Sequence, residues 1–165
     1  MTYVTLIAAL ISATFTVAAP RTHRKDDSAT VHVCHLTIRI PTDLKRNPSE
    51  GIDSCVAEFE NRDMLLSIDY GWYGGAATKS DDTVDFNEQS FRIGGKTGRL
   101  ATYIDDSLYA RKHPERKYVA HLYVVVRRSG THSQMETSLT ITVQGRSAKE
   151  VEIGLRIFGS VRFNR

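Results

Sequence analysis

The side chains best suited to chemistry in this 165-residue chain are the acids, bases and aromatic groups of three long polar loops. Aspartate, histidine and arginine can move protons or bind anions when they converge on one reacting atom. A hydrolase-type enzyme would be built here from Asp53, Asp105, His113 and Arg116. The alternative is a binding surface, aromatic at its base and acid-rich at its rim, formed by eight side chains: Asp53, Trp72, Tyr73, Asp105, Tyr109, Arg111, His113 and Arg116.

Catalytic motifs do not favour the enzyme alternative. The sequence contains no H-E-x-x-H, G-x-S-x-G or G-x-G-x-x-G pattern. Gly94-Gly95-Lys96-Thr97 is similar to the end of a phosphate-binding loop, but Ser90 stands where the first glycine of that loop is required. We therefore predict no catalytic residues, no cofactor and no metal site, and the non-enzymatic binding domain is the preferred interpretation. Calcium binding by the clustered aspartates Asp81, Asp82 and Asp85 stays open as an alternative, although they lack the D-x-D-x-D-G spacing.

The charge balance argues against a nucleic-acid partner. The chain has 22 lysines and arginines against 19 aspartates and glutamates, a formal net charge of +3. Its basic pairs Arg116-Lys117 and Arg127-Arg128 flank one predicted strand of about ten residues, which places them on the order of 30 Å apart. They do not form one phosphate-binding patch, and the net charge is too small for binding driven by counterion release.

The elements that must position these loops are mostly strands. Alternating apolar and polar residues predict seven strands, and Ser147 and Glu150 form a capping box that predicts the start of a helix ending near Gly159. We predict an α+β fold: a single strongly twisted, mostly antiparallel sheet of about seven strands, with a C-terminal helix packed on one face. The strands are predicted at residues 31–40, 54–60, 64–72, 89–93, 97–104, 117–127 and 137–144, with a short closing strand at 161–163.

The order of these strands predicts where the loops lie. Gly94-Gly95-Lys96 is a hairpin turn, since glycine adopts the positive backbone angles that such turns need. The most apolar strand, 117–127, is expected at the centre of the sheet. If each strand lies beside the next, the loops 41–53, 73–88 and 105–116 share one end of the sheet, where binding sites tend to lie.

Cys34 and Cys55 are the two cysteines of the chain. Each shares its alternation with apolar residues of neighbouring predicted strands, so both are expected to face the core. In an oxidising compartment they can form one disulfide, which would stabilise the fold by about 3 kcal/mol. The alternative is two buried thiols that do not meet.

The first 19 residues carry no charged side chain and end in Val17-Ala18-Ala19, a pattern typical of a secretory signal peptide cleaved after Ala19. The alternative is a retained segment, although the apolar run is shorter than a bilayer span requires. We predict a signal peptide at 1–19, a flexible polar leader at 20–30 and a single α+β domain at 31–165. The mature protein would be secreted or periplasmic, with no membrane span after cleavage.

Five short motifs are distributed from Thr37 onward: Ile38-Arg39-Ile40-Pro41, Gly51-Ile52-Asp53-Ser54, Ile68-Asp69-Tyr70-Gly71, Gly94-Gly95-Lys96, and a closing pattern of Ala148, Ile153, Ile157 and Ser160-Val161. In these motifs the chain resembles small uncharacterised exported bacterial proteins with an outline like the PsbP-like α/β/α sandwich. Photosynthetic PsbP proteins are binding subunits, so the resemblance implies an accessory role without catalysis. Independently of the resemblance, the preferred interpretation predicts a protein, an envelope component or a small ligand as partner, bound through the long-loop end of the sheet.

Overall fold

A computed structural model describes residues 27–128 and 136–164 of the chain. These residues form an α+β fold in which strands predominate. The strands are β1 (Ser28–Val33), β2 (Leu36–Pro41), β3 (Lys45–Asn47), β4 (Cys55–Glu60), β5 (Met64–Gly71), β6 (Thr83–Ile93), β7 (Lys96–Asp105), β8 (Tyr118–Arg128), β9 (Glu136–Gly145) and β10 (Arg162–Phe163). The helices are α1 (Leu108–Lys112), a 3-10 turn (Pro114–Arg116) and α2 (Ala148–Ser160).

Seven strands form one antiparallel sheet in the order β3-β4-β5-β9-β8-β7-β6. Successive residues of a strand point to opposite faces, and here one face is apolar and buried while the other carries mostly polar side chains. The apolar face includes Leu66, Ile68, Leu122, Ile141 and Val143. We call it the core face and the opposite one the polar face. The predicted α+β class, antiparallel sheet and C-terminal helix are confirmed.

The first predicted strand, 31–40, is instead a hairpin of two strands. Its turn lies at Cys34 and His35, whose φ angles are 49° and 61°. Positive φ at both turn residues is the geometry of a tight β-hairpin, although no glycine marks the turn in the sequence. The strands β1, β2 and β10 form a second, three-stranded sheet, so residues 28–30 belong to β1 and not to the predicted polar leader.

The first predicted strand is not part of the large sheet. The sheet nevertheless has seven strands, because the unpredicted strand β3 belongs to it. Residues of β3 fall within the predicted loop 41–53, and β6 begins at Thr83, inside the predicted loop 73–88. The apolar strand β8 lies inside the sheet, between β7 and β9, and the middle strand is β9. Gly94 and Gly95, with φ of 52° and 82°, form the predicted hairpin turn between β6 and β7.

The helix α2 and the small sheet cover the core face. The capping box predicted at Ser147 is present: its side chain caps the helix start, and the Glu150 carboxylate accepts a hydrogen bond from the Ser147 backbone N–H. Ile157 and Phe158 are buried, and α2 packs against β8, β9 and β2. The helix continues one residue past Gly159 and leads into β10, which pairs with β2 as the predicted closing strand.

The predicted disulfide between Cys34 and Cys55 is confirmed, with a Cα–Cα distance of 5.3 Å. Cys34 lies in the turn of the small sheet's hairpin, and Cys55 begins β4 of the large sheet. The bond therefore joins the two sheets.

In the described part of the chain, no helix has the length and apolar character needed to cross a membrane. The predicted signal peptide and most of the predicted leader lie outside the described residues, as do residues 129–135 between β8 and β9. For these segments the sequence patterns stand as predictions.

Candidate functional site

The connection between β5 and β6 decides where the loop residues lie. The strand β5 ends at Gly71, opposite Ser138, whereas β6 begins at Thr83, opposite Asp105, at the other end of the sheet. We call these the Gly71 end and the Asp105 end, and residues 72–82 the crossing segment. The segment passes over the polar face, where Gly75 accepts a hydrogen bond from His121. The expectation that the long loops share one end is wrong, because β5 and β6 are not neighbours.

The eight predicted site residues consequently fall into two groups. An eight-residue strand such as β5 extends about 25 Å, which sets the separation of the two ends. The Gly71 end has Asp53, Trp72 and Tyr73, and the Asp105 end has Asp105, Tyr109, Arg111, His113 and Arg116.

At the Gly71 end three large apolar or aromatic side chains are exposed. Trp72 and Tyr73, which follow β5 directly, are 52% and 74% exposed, and Ile52 in the loop before β4 is 99% exposed. That loop packs against Gly71, where an added Cβ would overlap Ser54. The close approach brings Asp53 and Ser54 to the end of β5, where Trp72 follows in the chain.

At the Asp105 end two arginines are paired with carboxylates. Arg111 donates to the Asp106 carboxylate at 2.8 Å, and Arg116 donates to Glu60 at 2.8 Å. These hydrogen bonds raise the pKa of Arg111 and lower the pKa of Glu60 from their ordinary values.

The other predicted residues at the Asp105 end are also engaged. An Asp105 carboxylate oxygen accepts a hydrogen bond from the Ser107 backbone N–H at 2.9 Å, which holds the start of α1. The Tyr109 and His113 rings lie 4.5 Å apart, and His113 Nδ1 is 3.4 Å from a Glu115 carboxylate oxygen. These contacts fix the loop between β7 and β8.

The four residues of the enzyme alternative do not converge. Asp53 lies at the Gly71 end, about 25 Å along the sheet from the other three, whereas a shared reacting atom requires hydrogen-bond distances. Arg116 is directed to Glu60, and His113 to Glu115 and Tyr109. This geometry does not support a site built from the four residues together.

The crossing segment covers a histidine that sequence reasoning missed. His121 Nε2 lies 2.8 Å from the Gly75 carbonyl oxygen and Nδ1 lies 3.0 Å from Thr142 Oγ1. Because a carbonyl can only accept, Nε2 carries the proton, and Nδ1 accepts from the Thr142 hydroxyl. Burial lowers the pKa of His121 below its ordinary 6.5, and the hydrogen bond to Gly75 opposes this shift. The neutral His121 ring holds the crossing segment through its hydrogen bond to Gly75.

The crossing also depends on Gly74. A Cβ at this position would overlap the hydroxyl groups of Ser138 and Thr140 on β9, whereas a Cβ at Gly75 would meet nothing within 4 Å. Two features of the sequence could have indicated this contact. The Gly74-Gly75 pair allows close approach of the backbone, and the alternation of β8 places His121 on the face opposite to that of the apolar Leu122.

Two polar atoms below the crossing segment have no hydrogen-bond partner in the described structure, Asp69 Oδ1 and Thr140 Oγ1. They belong to directly opposed residues of β5 and β9. Within residues 27–128 and 136–164, no three His, Cys, Asp or Glu side chains are grouped closely enough to hold a metal ion. The described part of the polar face thus contains two unpaired polar atoms but no group of side chains that could form a metal centre.

No protein-family model matches the chain, and no curated protein matches it either. The PsbP-like resemblance of its short motifs remains a prediction.

Proposed function

We propose that this chain is an exported, non-enzymatic binding domain that contacts a protein partner through the Gly71 end. The observation that carries the proposal is the exposure of Ile52, Trp72 and Tyr73, at 99%, 52% and 74%. Aromatic residues dominate the binding energy of protein interfaces, and grouped exposed apolar side chains commonly mark such interfaces. Asp53 would contribute a polar group at the rim of this surface.

The Gly71 end is also held in shape before any partner binds. Cys55, which follows the loop carrying Ile52, is bonded to Cys34, and the same loop packs against Gly71. A surface fixed in advance loses less conformational entropy on association. The disulfide therefore supports binding at this end as well as stability.

The Asp105 end is a weaker candidate although Leu108 and Tyr109 are 76% and 56% exposed. Tyr109 packs on the His113 ring, and the nearby Arg111 is already paired with Asp106. A partner at this end would compete with existing contacts. At the Gly71 end the apolar side chains are available as they stand.

Export is part of the proposal and rests on two observations. Residues 1–19 have the pattern of a signal peptide, and the disulfide is of a kind that persists in oxidising compartments. We expect N-terminal sequencing of protein recovered outside the cytoplasm of the producing cell to begin at Pro20. Recovery of exported protein that begins at Met1 would contradict cleavage.

Photo-crosslinking at two exposed tyrosines tests the binding surface. The crosslinking residue p-benzoylphenylalanine replaces Tyr73 in one variant and Tyr109, at the opposite end, in the matched control. We expect a discrete protein adduct from position 73 and none from position 109. Trp72→Ala should abolish the adduct while lowering the free energy of unfolding by only about 1 kcal/mol, because Trp72 is 52% exposed.

Three results would argue against this function. An adduct from position 109 alone would move the surface to the Asp105 end, and equal adducts from both positions would indicate non-specific contact. No adduct from position 73 in cells that export the protein would contradict a protein partner at the Gly71 end.

A further inference from the structure

A groove of about 550 Å³ opens where the small sheet meets β3 and β4. Its volume lies within the range of small-molecule sites in proteins. It forms because β1 is an edge strand of one sheet and β3 an edge strand of the other, so no further strand closes the gap between them. The groove is lined by Ala29, Val31, His32, Ile40, Pro41, Thr42, Leu44, Arg46 and Phe59.

The interior of the groove is apolar. Ile40, Leu44 and Phe59 are buried members of the hydrophobic core, and Val31 packs against that core from β1. An apolar ligand segment placed here would contact side chains of both sheets, and removal of apolar surface from water is the main driving force for such binding.

The charge at the groove is positive. Arg46 pairs with Phe59 across β3 and β4, so its side chain is on the groove side, whereas its neighbour Lys45 is on the polar face. Arg46 and His32 are the ionisable lining residues, and no carboxylate is among the described lining. The nearby Asp43 carboxylate accepts a hydrogen bond from Asn61, 2.8 Å away.

We propose that this groove binds an amphipathic anion, a single apolar chain with an acidic head group such as a free fatty carboxylate. The chain would lie along Val31, Leu44 and Phe59, and the head group would pair with Arg46. Guanidinium groups bind carboxylates with strong, directional hydrogen bonds. The groove is separate from the binding surface proposed at the Gly71 end, and this proposal does not depend on that one.

Titration of the full mature protein with dodecanoate, below its micelle concentration, tests the proposal by calorimetry and by NMR shifts. We expect binding of one equivalent. Arg46→Gln should weaken dodecanoate binding by about tenfold, the value of a charge-assisted hydrogen bond. Lys45→Gln is the matched control: it removes the same charge one residue away on the opposite face, and it should change binding by less than about twofold.

Head-group and groove-filling controls make the test specific. Dodecyltrimethylammonium has the same chain with a cationic head and should bind more weakly than dodecanoate to the unmodified protein. Ala29→Trp fills the groove from the edge strand β1, where residue 29 is only partly buried, and should abolish binding without unfolding the protein. Trp72→Ala should leave dodecanoate binding unchanged. The groove proposal and the proposal of a partner at the Gly71 end can therefore fail independently.

The proposal would be overturned by equal losses in the Arg46→Gln and Lys45→Gln variants, or by equal affinity for the cationic amphiphile. Binding of several equivalents, insensitive to Ala29→Trp, would indicate adsorption to the protein surface. If dodecanoate does not bind and sedimentation shows a dimer that Ala29→Trp dissociates, the groove is occupied by a second copy of the chain and the ligand assignment is wrong.

Discussion

The two faces of the large sheet are covered in different ways. The core face is covered by α2 and the small sheet through apolar side chains, and the disulfide between Cys34 and Cys55 ties that cover to β4. The polar face is crossed by residues 72–82, held by the hydrogen bond from His121 to Gly75 and by the close approach of Gly74 to β9.

The difference shows what each kind of cover requires. Apolar packing is additive and tolerant, since many side chains share the burial. A segment that lies across polar strands depends on a few specific contacts. Each polar group that it covers must find a hydrogen-bond partner, because a buried group without one lowers the stability of the fold. We therefore expect the core-face cover to be strong and the polar-face cover to be locally sensitive, as three experiments can test.

The largest effect is expected from the disulfide. Reduction breaks the bond between two residues 21 positions apart, which increases the conformational entropy of the unfolded chain. It should lower the free energy of unfolding by about 3 kcal/mol. Urea unfolding with and without reductant measures it. In the double variant Cys34→Ala/Cys55→Ala, reductant should have no effect. An unchanged midpoint for the reduced wild-type chain would mean that the small sheet holds the core face without this bond.

A smaller effect is expected from Gly74→Ala, because its Cβ would overlap two hydroxyl groups on β9. Overpacking of this kind costs about 2 kcal/mol. The matched control Gly75→Ala meets open space at a φ that alanine accepts, and it should stabilise the fold by about 0.5 kcal/mol through the unfolded state. Chemical unfolding compares the two variants. Equal effects would contradict close contact between the crossing segment and β9.

The smallest effect is expected from the protonation of His121. Its pKa is lower in the folded than in the unfolded chain, so the unfolded chain binds more protons as the pH falls below 6.5. Stability from this group is present above pH 6.5 and is lost toward lower pH. Urea unfolding between pH 7.5 and 5.5, at least one unit above the ordinary glutamate pKa of 4.5, keeps the contribution of Glu60, Glu88 and Glu115 small. His121→Gln should remove the slope, and an identical slope in both proteins would exclude the histidine as its cause.

The parts of the fold that the sequence predicted are those encoded by local patterns. Alternation located β4, β5, β7, β8 and β9, and the capping box at Ser147 located α2, because each signal needs only neighbouring residues. The hairpin at Cys34-His35 was missed because apolar alternation continues on both sides of a turn that contains no glycine. The separate small sheet follows from that turn and was missed with it.

The placement of the site residues depends on strand order, which local patterns do not encode. A meander was the simplest order, and it brought Asp53 and His113 to one end. The structure separates them because β9 and β8 lie between β5 and β7, and the long connection crosses a face. The exposed aromatics Trp72 and Tyr73 were still recognised, since their position directly after an alternating strand is a local property.

The position of β9 bears on how the chain reaches its folded state. Its first described residue is Glu136, late in the sequence, yet β9 is the strand that pairs with β5 on one side and β8 on the other. Until it is synthesised, β3-β4-β5 and β6-β7-β8 are two separate ribbons without a shared ladder. The complete seven-stranded sheet, with one continuous hydrogen-bond ladder, therefore cannot form until Glu136–Gly145 has been synthesised.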